Sequence, residues 1–396
     1  MIKIEKKYNC CGCGACYNIC PKKAIEMKSD KEGFKYPVVN KEKCINCGLC
    51  QKICPIINNY FKNNKNNKSN NINTIAAYSK DIENRNSSSS GGVFSEIAKY
   101  IIEEKKGIVY GAGFDEKFNL KHKKIIDVVD LSMLKGSKYI QSDTLRTFEE
   151  TKKYLEQGVY ILYSGTPCQI AGLKSYLKKD YATLYTCDII CHGVPSLNVF
   201  KKYVEELKKK YNSDIKSIYF KDKKYGWNKS SMKIEFKNGK IYFSKLTEDK
   251  FMQCFLSDLC LRPSCYKCKF STLPRCADIS LGDFWGIEKK YSEFDDNKGT
   301  SLILLNNEKG TELFNKIKKN LFYMENINLK FAIKNNPCIN SHVKKNKKRK
   351  KFFSNLYEKN LTELLNENIK KESKLKITIY KILSKVKCFL RVLKII

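Results

Sequence analysis

The chain opens on Cys10-Cys-Gly-Cys-Gly-Ala-Cys-Tyr-Asn-Ile-Cys-Pro21, and the same frame returns as Cys44-Ile-Asn-Cys-Gly-Leu-Cys-Gln-Lys-Ile-Cys-Pro55. In each run Cys10, Cys13, Cys16 and Cys20, or Cys44, Cys47, Cys50 and Cys54, are separated by two, two and three residues, and a proline follows. Spacings this short let one loop present three thiolates to a single small centre. The fourth cysteine, with its proline, turns the chain away toward a second centre. Gly12, Gly14 and Gly48 supply the left-handed backbone and close approach that a wrapping loop needs.

Two such runs are the ligand pattern of a bacterial two-cluster ferredoxin, in which three cysteines of a run hold one [4Fe–4S] cube and the fourth ligates the other. The expected ligand sets are Cys10, Cys13, Cys16 with Cys54, and Cys44, Cys47, Cys50 with Cys20. Zinc is the competing reading, but zinc sites usually combine two C-x-x-C pairs rather than two runs of four. Cys11 stands outside the frame and reads as a bystander.

At 396 residues the chain has material for two or three domains. Its 19 cysteines follow metal spacing with no apolar signal segment ahead of them, which suggests a reducing cytoplasm. Oxygen-sensitive cubes suggest an anaerobe. The formal net charge of +35 is spread over lysines at most polar positions, and metal-bound thiolates offset part of it. The densest run, Lys344–Lys351, reads as a solvated tail or loop. Without a nucleic-acid motif this charge argues for an acidic redox partner or an anionic membrane surface ahead of nucleic acid.

The expected organisation is a ferredoxin-like module at 1–57, an Asn/Lys-rich linker at 58–74, a larger α/β domain at 75–335 and a basic helical extension at 336–396. Within the module, Ala24–Met27 and Tyr36–Val39 read as short strands. Past the linker, Ser87-Ser-Ser-Ser-Gly-Gly92 precedes apolar residues at helical spacing, a start that suits a phosphate or an ordinary cap. Lys135-Gly-Ser-Lys-Tyr139 lies in a polar loop that suits a second anionic group. Gly158–Tyr163 is a strand running into Ser164-Gly-Thr-Pro-Cys168 and a helix. Ala182–Ile190 is the next strand, followed by Cys191-His-Gly-Val-Pro195 and a helix over Leu197–Tyr211. This alternation predicts a largely parallel sheet. Residues 215–247 read instead as short strands with an Asn238-Gly239 hairpin turn.

Cys168, Cys191, Cys265 and Cys268 make a dispersed third set, enough for another cube, for zinc, or for four small buried residues. Cys187, Cys254, Cys260 and Cys276 complicate that choice. Asp283 and Trp285, in Gly282-Asp-Phe-Trp-Gly286, line either a flavin ring or the core. The last stretch, Lys374–Ile396, is a basic amphipathic helix that suits an anionic membrane surface or a protein face. It is too interrupted by lysine to span a bilayer.

Taken together, Gly165-Thr-Pro-Cys-Gln169, Asp188-Ile-Ile-Cys-His-Gly-Val-Pro195, Arg262-Pro-Ser-Cys-Tyr-Lys-Cys268 and the Gly282–Gly286 turn resemble the coenzyme F420 hydrogenase/dehydrogenase beta-subunit family. The resemblance covers roughly residues 75–335. It implies a mixed α/β iron–sulfur flavoprotein, with a third [4Fe–4S] cluster at Cys168, Cys191, Cys265 and Cys268. It also implies FAD contacts at Ser89, Ser90, Gly91, Gly92, Lys135, Gly136, Ser137, Lys138 and Tyr139. Ser164, Gly165, Thr166, Asp283 and Trp285 are further cofactor candidates.

The expected activity is therefore electron relay between the ferredoxin-type clusters and an FAD. That FAD would exchange hydride with a deazaflavin or another organic substrate, including one of a cell-surface polysaccharide pathway. The competing expectation is a non-catalytic electron-transfer subunit serving a redox enzyme partner. The expected location is cytoplasmic, with peripheral contact at the inner face of the membrane through the last helix. No general acid or base stands out; His192, Asp188 and Asp283 are nominated by position alone.

Overall fold

The computed structural model describes residues 1–60 and 72–369. In the cysteine-rich module, β1 (Ile25–Ser29) and β2 (Lys35–Val39) form an antiparallel hairpin, with short helices Ala15–Ile19 and Leu49–Lys52 inside the two cysteine loops. Gly14 and Gly48 precede those helices at φ of 80° and 73°, which shows why glycine stands there.

Most of the expected linker, 61–71, lies outside the described residues. After it come β3 (Asn73–Ser79, beginning inside the expected linker), β4 (Ile108–Phe114), β5 (Leu120–Ile125), β6 (Ile161–Gly165), β7 (Leu184–Ile189), β8 (Ile215–Asp222), β9 (Ser231–Phe236), β10 (Ile241–Lys245), β11 (Ile279–Asp283), β12 (Ser301–Leu305) and β13 (Leu321–Met324). Eight of them make one sheet in the order β13-β3-β12-β11-β7-β6-β4-β5. Only the β4–β6, β6–β7 and β7–β11 pairs are parallel. The outer pairs, β4–β5, β11–β12, β12–β3 and β3–β13, are antiparallel, so the sheet is mixed where the alternation predicted a largely parallel one. The helical crossovers that impose parallel pairing occur only around β6 and β7; β5 joins its neighbour through a short hairpin instead.

Residues alternate between the faces of this sheet. Val109, Leu162, Ile279 and Ile303 meet Ile97, Ile101, Leu313 and Phe314 of helices on one side. Ile108, Tyr110, Ile161 and Tyr163 meet Phe148, Ile170 and Leu173 of Thr147–Glu156 and Pro167–Leu177 on the other. The second layer also takes in Cys11, Cys13, Cys16, Cys50 and Cys54, so the module shares a core with the sheet.

A second lobe is built on the antiparallel sheet β8–β10. Helices Leu197–Tyr211 and Lys250–Leu256 pack on it, and so do Arg349–Ser354 and Leu361–Asn368, through Phe352, Leu356, Leu361 and Leu364. The Lys344–Lys351 run is therefore not uniformly solvated. Lys344, Lys345, Lys347, Lys350 and Lys351 are exposed, whereas Arg349 is buried and grips Glu32 of the module at 2.6 and 3.0 Å. The amphipathic segment from Lys374 lies outside the described residues. Among the described residues no helix is long and apolar enough to cross a membrane.

The Arg349–Glu32 pair joins module to lobe inside a low-dielectric seam, so removing one partner leaves the other charge uncompensated. Arg349→Met is expected to lower unfolding stability by roughly 3 kcal/mol, read as an earlier denaturant midpoint by tryptophan fluorescence. Adding Glu32→Gln should recover much of that loss.

Candidate iron–sulfur and cofactor site

The structure gathers the cysteines in the two expected sets. Cys10, Cys13, Cys16 and Cys54 surround one hollow, and Cys20, Cys44, Cys47 and Cys50 surround another. Backbone N–H groups point at sulfur in the second set, Ile2 to Cys50 and Ala24 to Cys20, each at 3.2 Å. N–H donors of this kind stabilise cluster-bound thiolates and tune their potential.

The module is fixed to the sheet domain at the first hollow. Arg262, wholly buried, donates from Nε to the Cys10 carbonyl at 2.9 Å and from Nη2 to the Lys35 carbonyl at 2.8 Å. Its Nη1 donates to Gln141 Oε1 at 3.1 Å, and Gln141 Nε2 in turn donates to the Cys11 carbonyl at 2.9 Å. A Cβ on Gly12 would stand 2.8 Å from that guanidinium, and one on Gly172 would stand 2.8 Å from Cys13 Cβ. Glycine on both sides of the junction lets the cysteine loop lie flat against the helix Pro167–Leu177.

The dispersed set also converges. Cys168 sits in the first turn of that helix, Cys191 follows β7, and Cys265 and Cys268 lie in and just after the turn Pro263–Lys267. All four line a third hollow of about 40 Å³, together with Cys11 and Thr166. Val194 N–H donates to Cys265 Sγ and Phe270 N–H to Cys268 Sγ, both at 3.4 Å. Cys11 is thus no bystander by position: it is buried in the wall between the first and third hollows. Cys187, Cys254, Cys260 and Cys276 lie elsewhere, Cys254 and Cys260 in the second-lobe core and Cys276 against the Pro167 carbonyl. Among the described residues no group of three or more His, Cys, Asp or Glu side chains is gathered as one bare metal ion would require.

Beyond Thr166 opens the main cavity, about 310 Å³, at the C-terminal ends of β6, β7 and β11. Open α/β sheets commonly bind ligands at such strand ends. Ser89, Ser90, Gly92, Lys135, Gly136, Ser137, Lys138, Tyr139, Ser164, Gly165, Thr166 and Asp283 all line it. Gly91 does not: it packs against strand β3, where a Cβ would sit 2.4 Å from the Ala77 carbonyl oxygen, and its N–H donates to Ser301 Oγ. Trp285 does not either: it stacks on buried Trp227 at 4.4 Å, outside the lining. Asp283 reaches the cavity but is held by Lys221 at 2.6 Å and by Trp227 Nε1 at 3.2 Å.

The serine loop and the Lys135 loop face each other and are tied together. Ser137 N–H donates to Ser89 Oγ, and Lys135 Nζ donates to Ser87 Oγ at 3.1 Å. Lys138 turns its ammonium inward onto the carbonyls of Leu134, Lys135 and Gly136, and burial pushes its pKa down to about 7. Burial likewise lowers Lys135. His122, which sequence reasoning passed over, braces the floor, with Nε2 at 2.9 Å from the Ser164 carbonyl and Nδ1 at 3.0 Å from Ser142 Oγ. Burial drops its pKa to about 4, so it is a neutral strut at pH 7. Its position in the polar-looking strand Leu120–Ile125 gave no signal of burial.

The residues nominated as acid or base are all engaged. Asp188 is fully buried against Arg275 at 3.2 Å and does not line the cavity. His192 lines the third hollow and holds Asp258 at 2.7 Å. Burial opposes its charge, but the bonds to Asp258 and Cys338 prevail and raise its pKa to about 9.

Residues 9–56 match the family model for a 4Fe-4S dicluster domain. Residues 159–330 match the model for the C-terminal part of the coenzyme F420 hydrogenase/dehydrogenase beta subunit. The chain thus carries a segment similar to a dicluster domain ahead of one similar to the C-terminal part of that beta subunit. A chain of the F420-reducing [NiFe] hydrogenase complex from Methanosarcina barkeri, from a xenon-derivatization study, is similar at 18% identity and a TM-score of 0.46. That match covers 67% of the present chain and 89% of the other. No curated protein matches. Together the two family matches point to electron transfer in an oxidoreductase.

Gly172→Ala is expected to press on Cys13 and open the junction. Iron per chain should fall by about one cluster, four atoms, while far-ultraviolet circular dichroism keeps its shape. Full iron retention would show that the helix can move aside.

Proposed function

We propose that the chain is an iron–sulfur flavoprotein oxidoreductase. Electrons pass from the dicluster domain, through a third [4Fe–4S] cluster at Cys168, Cys191, Cys265 and Cys268, to an FAD in the main cavity. The organic partner is a deazaflavin of the F420 type or another acceptor, such as a precursor in a cell-surface polysaccharide pathway. The supporting observation is the sharing of walls: Cys11 lines both the first and third hollows, and Thr166 lines both the third hollow and the cavity.

When bound, FAD supplies the conversion between single-electron transfer and hydride chemistry. The chain's own residues do the placing. The Ser89 and Ser137 hydroxyls and the Gly92 backbone offer hydrogen bonds to phosphate oxygens, with Lys135 and Lys138 supplying positive charge, while the Ser90 hydroxyl is engaged on the Thr300 carbonyl. Leu134, Ile140, Ile190 and Leu281 keep water from the rest of the cavity. Gln169 holds the Ser142 backbone carbonyl at 3.0 Å and so sets the Lys135–Ser142 loop against the cavity. A pocket that is mostly apolar with a few convergent polar groups fits a bulky ring joined to an anionic tail.

A non-catalytic electron-transfer subunit is the second reading. It is favoured by the engagement of Asp188, Asp283 and His192 in ion pairs, which leaves none of them free to move a substrate proton. Substrate turnover by the isolated chain would exclude it.

Protein purified without oxygen is expected to hold about twelve irons and one FAD, whereas about eight irons and no flavin would overturn the relay. Cys191→Ser should remove about four irons and leave the dicluster signals in electron paramagnetic resonance unchanged. Because Lys138 carries charge below pH 7 and loses it above, ADP affinity for the flavin-free protein should fall about fivefold, ~1 kcal/mol, from pH 6 to pH 8. Calorimetric titration measures this, and Lys138→Met should flatten the profile.

A further inference from the structure

The two hollows of the dicluster domain differ in access. At the first, Cys13, Cys16 and Cys54 are buried, and Arg262, Thr144 and Gly172 close it against the sheet domain. At the second, Cys47 is exposed, and Ile45, beside it on the rim, is 58% exposed. The chain segments that flank this opening carry exposed Lys22, Lys23, Lys41 and Lys43, with Glu42 the lone carboxylate among them. An apolar tip over a cluster, ringed by cations, matches an electron-transfer interface: small, transient and steered by charge.

We infer that this face is the docking surface for an acidic one-electron carrier protein, which exchanges electrons with the cluster at Cys20, Cys44, Cys47 and Cys50. The inference rests on the dicluster domain alone and stands whether or not the main cavity takes FAD. One electron leaves the reduced carrier and reduces this cluster, and no bond is made or broken. The neighbouring cluster at Cys10, Cys13, Cys16 and Cys54 lies on the inward side, against the sheet domain. An anionic membrane would also meet these lysines, but a flat bilayer gives no role to an exposed cluster ligand at their centre.

The test uses the full chain and a reduced, acidic two-cluster ferredoxin as probe, mixed anaerobically by stopped flow across a series of salt concentrations. The expected second-order rate falls steeply with salt. Lys22→Glu with Lys43→Glu should lower it roughly tenfold and flatten the salt dependence, with iron content and midpoint potentials unchanged. Should charge reversal strip iron, Lys22→Gln with Lys43→Gln should still lower the rate and the salt slope by a smaller step. An unchanged rate overturns the proposal. So does an equal fall in Lys316→Glu with Lys319→Glu, a remote control that reads net charge alone. Tight binding to phosphatidylserine vesicles through the same lysines, with no effect on the carrier rate, would assign the face to lipid and overturn it as well.

Discussion

The structure depends on a close contact between cysteine loop and helix, where Cys13 lies against Gly172 and the buried Arg262 guanidinium lies against Gly12 and the Cys10 carbonyl. Neither side tolerates a side chain there. The consequence is that two pieces with separate sequence signatures share one hydrophobic core, with Phe148, Ile170 and Leu173 packed among cysteine ligands. Without this shared core the cluster sites would have no fixed place relative to the sheet. Here the first cluster site is held at a fixed place relative to the third hollow, and Cys11 forms the wall between them. Electron transfer depends on such fixed separation more than on any single reactive group, so packing does the functional work.

The module was legible in the sequence almost completely, because cluster ligation ties residue spacing to geometry within one loop. The pairing of Cys54 with the first run and Cys20 with the second follows from the same rule. Strand and helix positions in the sheet domain were legible too, including the helix Leu197–Tyr211. The direction of the strands was not. Alternating elements read as parallel, yet β12 enters antiparallel to β11 after a long, irregular connection that carries no directional signal, and β3 pairs antiparallel with β12. Local periodicity marks which face of a strand is buried but not which neighbour it meets.

The cavity residues show the same boundary. The serine loop and the Lys135 loop were read as anion-binding from composition, and the fold brings them to opposite sides of one opening. Gly91 of the serine loop and Trp285 of the Gly282–Gly286 turn point away, one onto Ala77 and one onto Trp227. A motif identifies a stretch of chain; which residues in it face the ligand depends on backbone rotation set by packing partners far off in sequence. Asp188 illustrates the cost of positional guessing, since its place near the end of strand β7 invited a chemical role while Arg275 holds it in the interior.

Arginine carries a further signal, through its rarity. In a chain crowded with lysine it occurs only six times, and Arg85, Arg262, Arg275 and Arg349 are each buried. Their guanidinium forks meet Asp296, the Cys10 and Lys35 carbonyls, Asp188 and Glu32 respectively. Lysine cannot replace them there: an ammonium is a point charge that is costly to desolvate, while the planar fork satisfies two acceptors at once and stays charged. Arg349 and Arg262 both clasp the module, and Arg85 and Arg275 secure the strand ends beside the cavity. A strong compositional drift toward lysine thus leaves arginine where geometry forbids the exchange. The rare cation therefore marks the joints that hold the cluster sites in line.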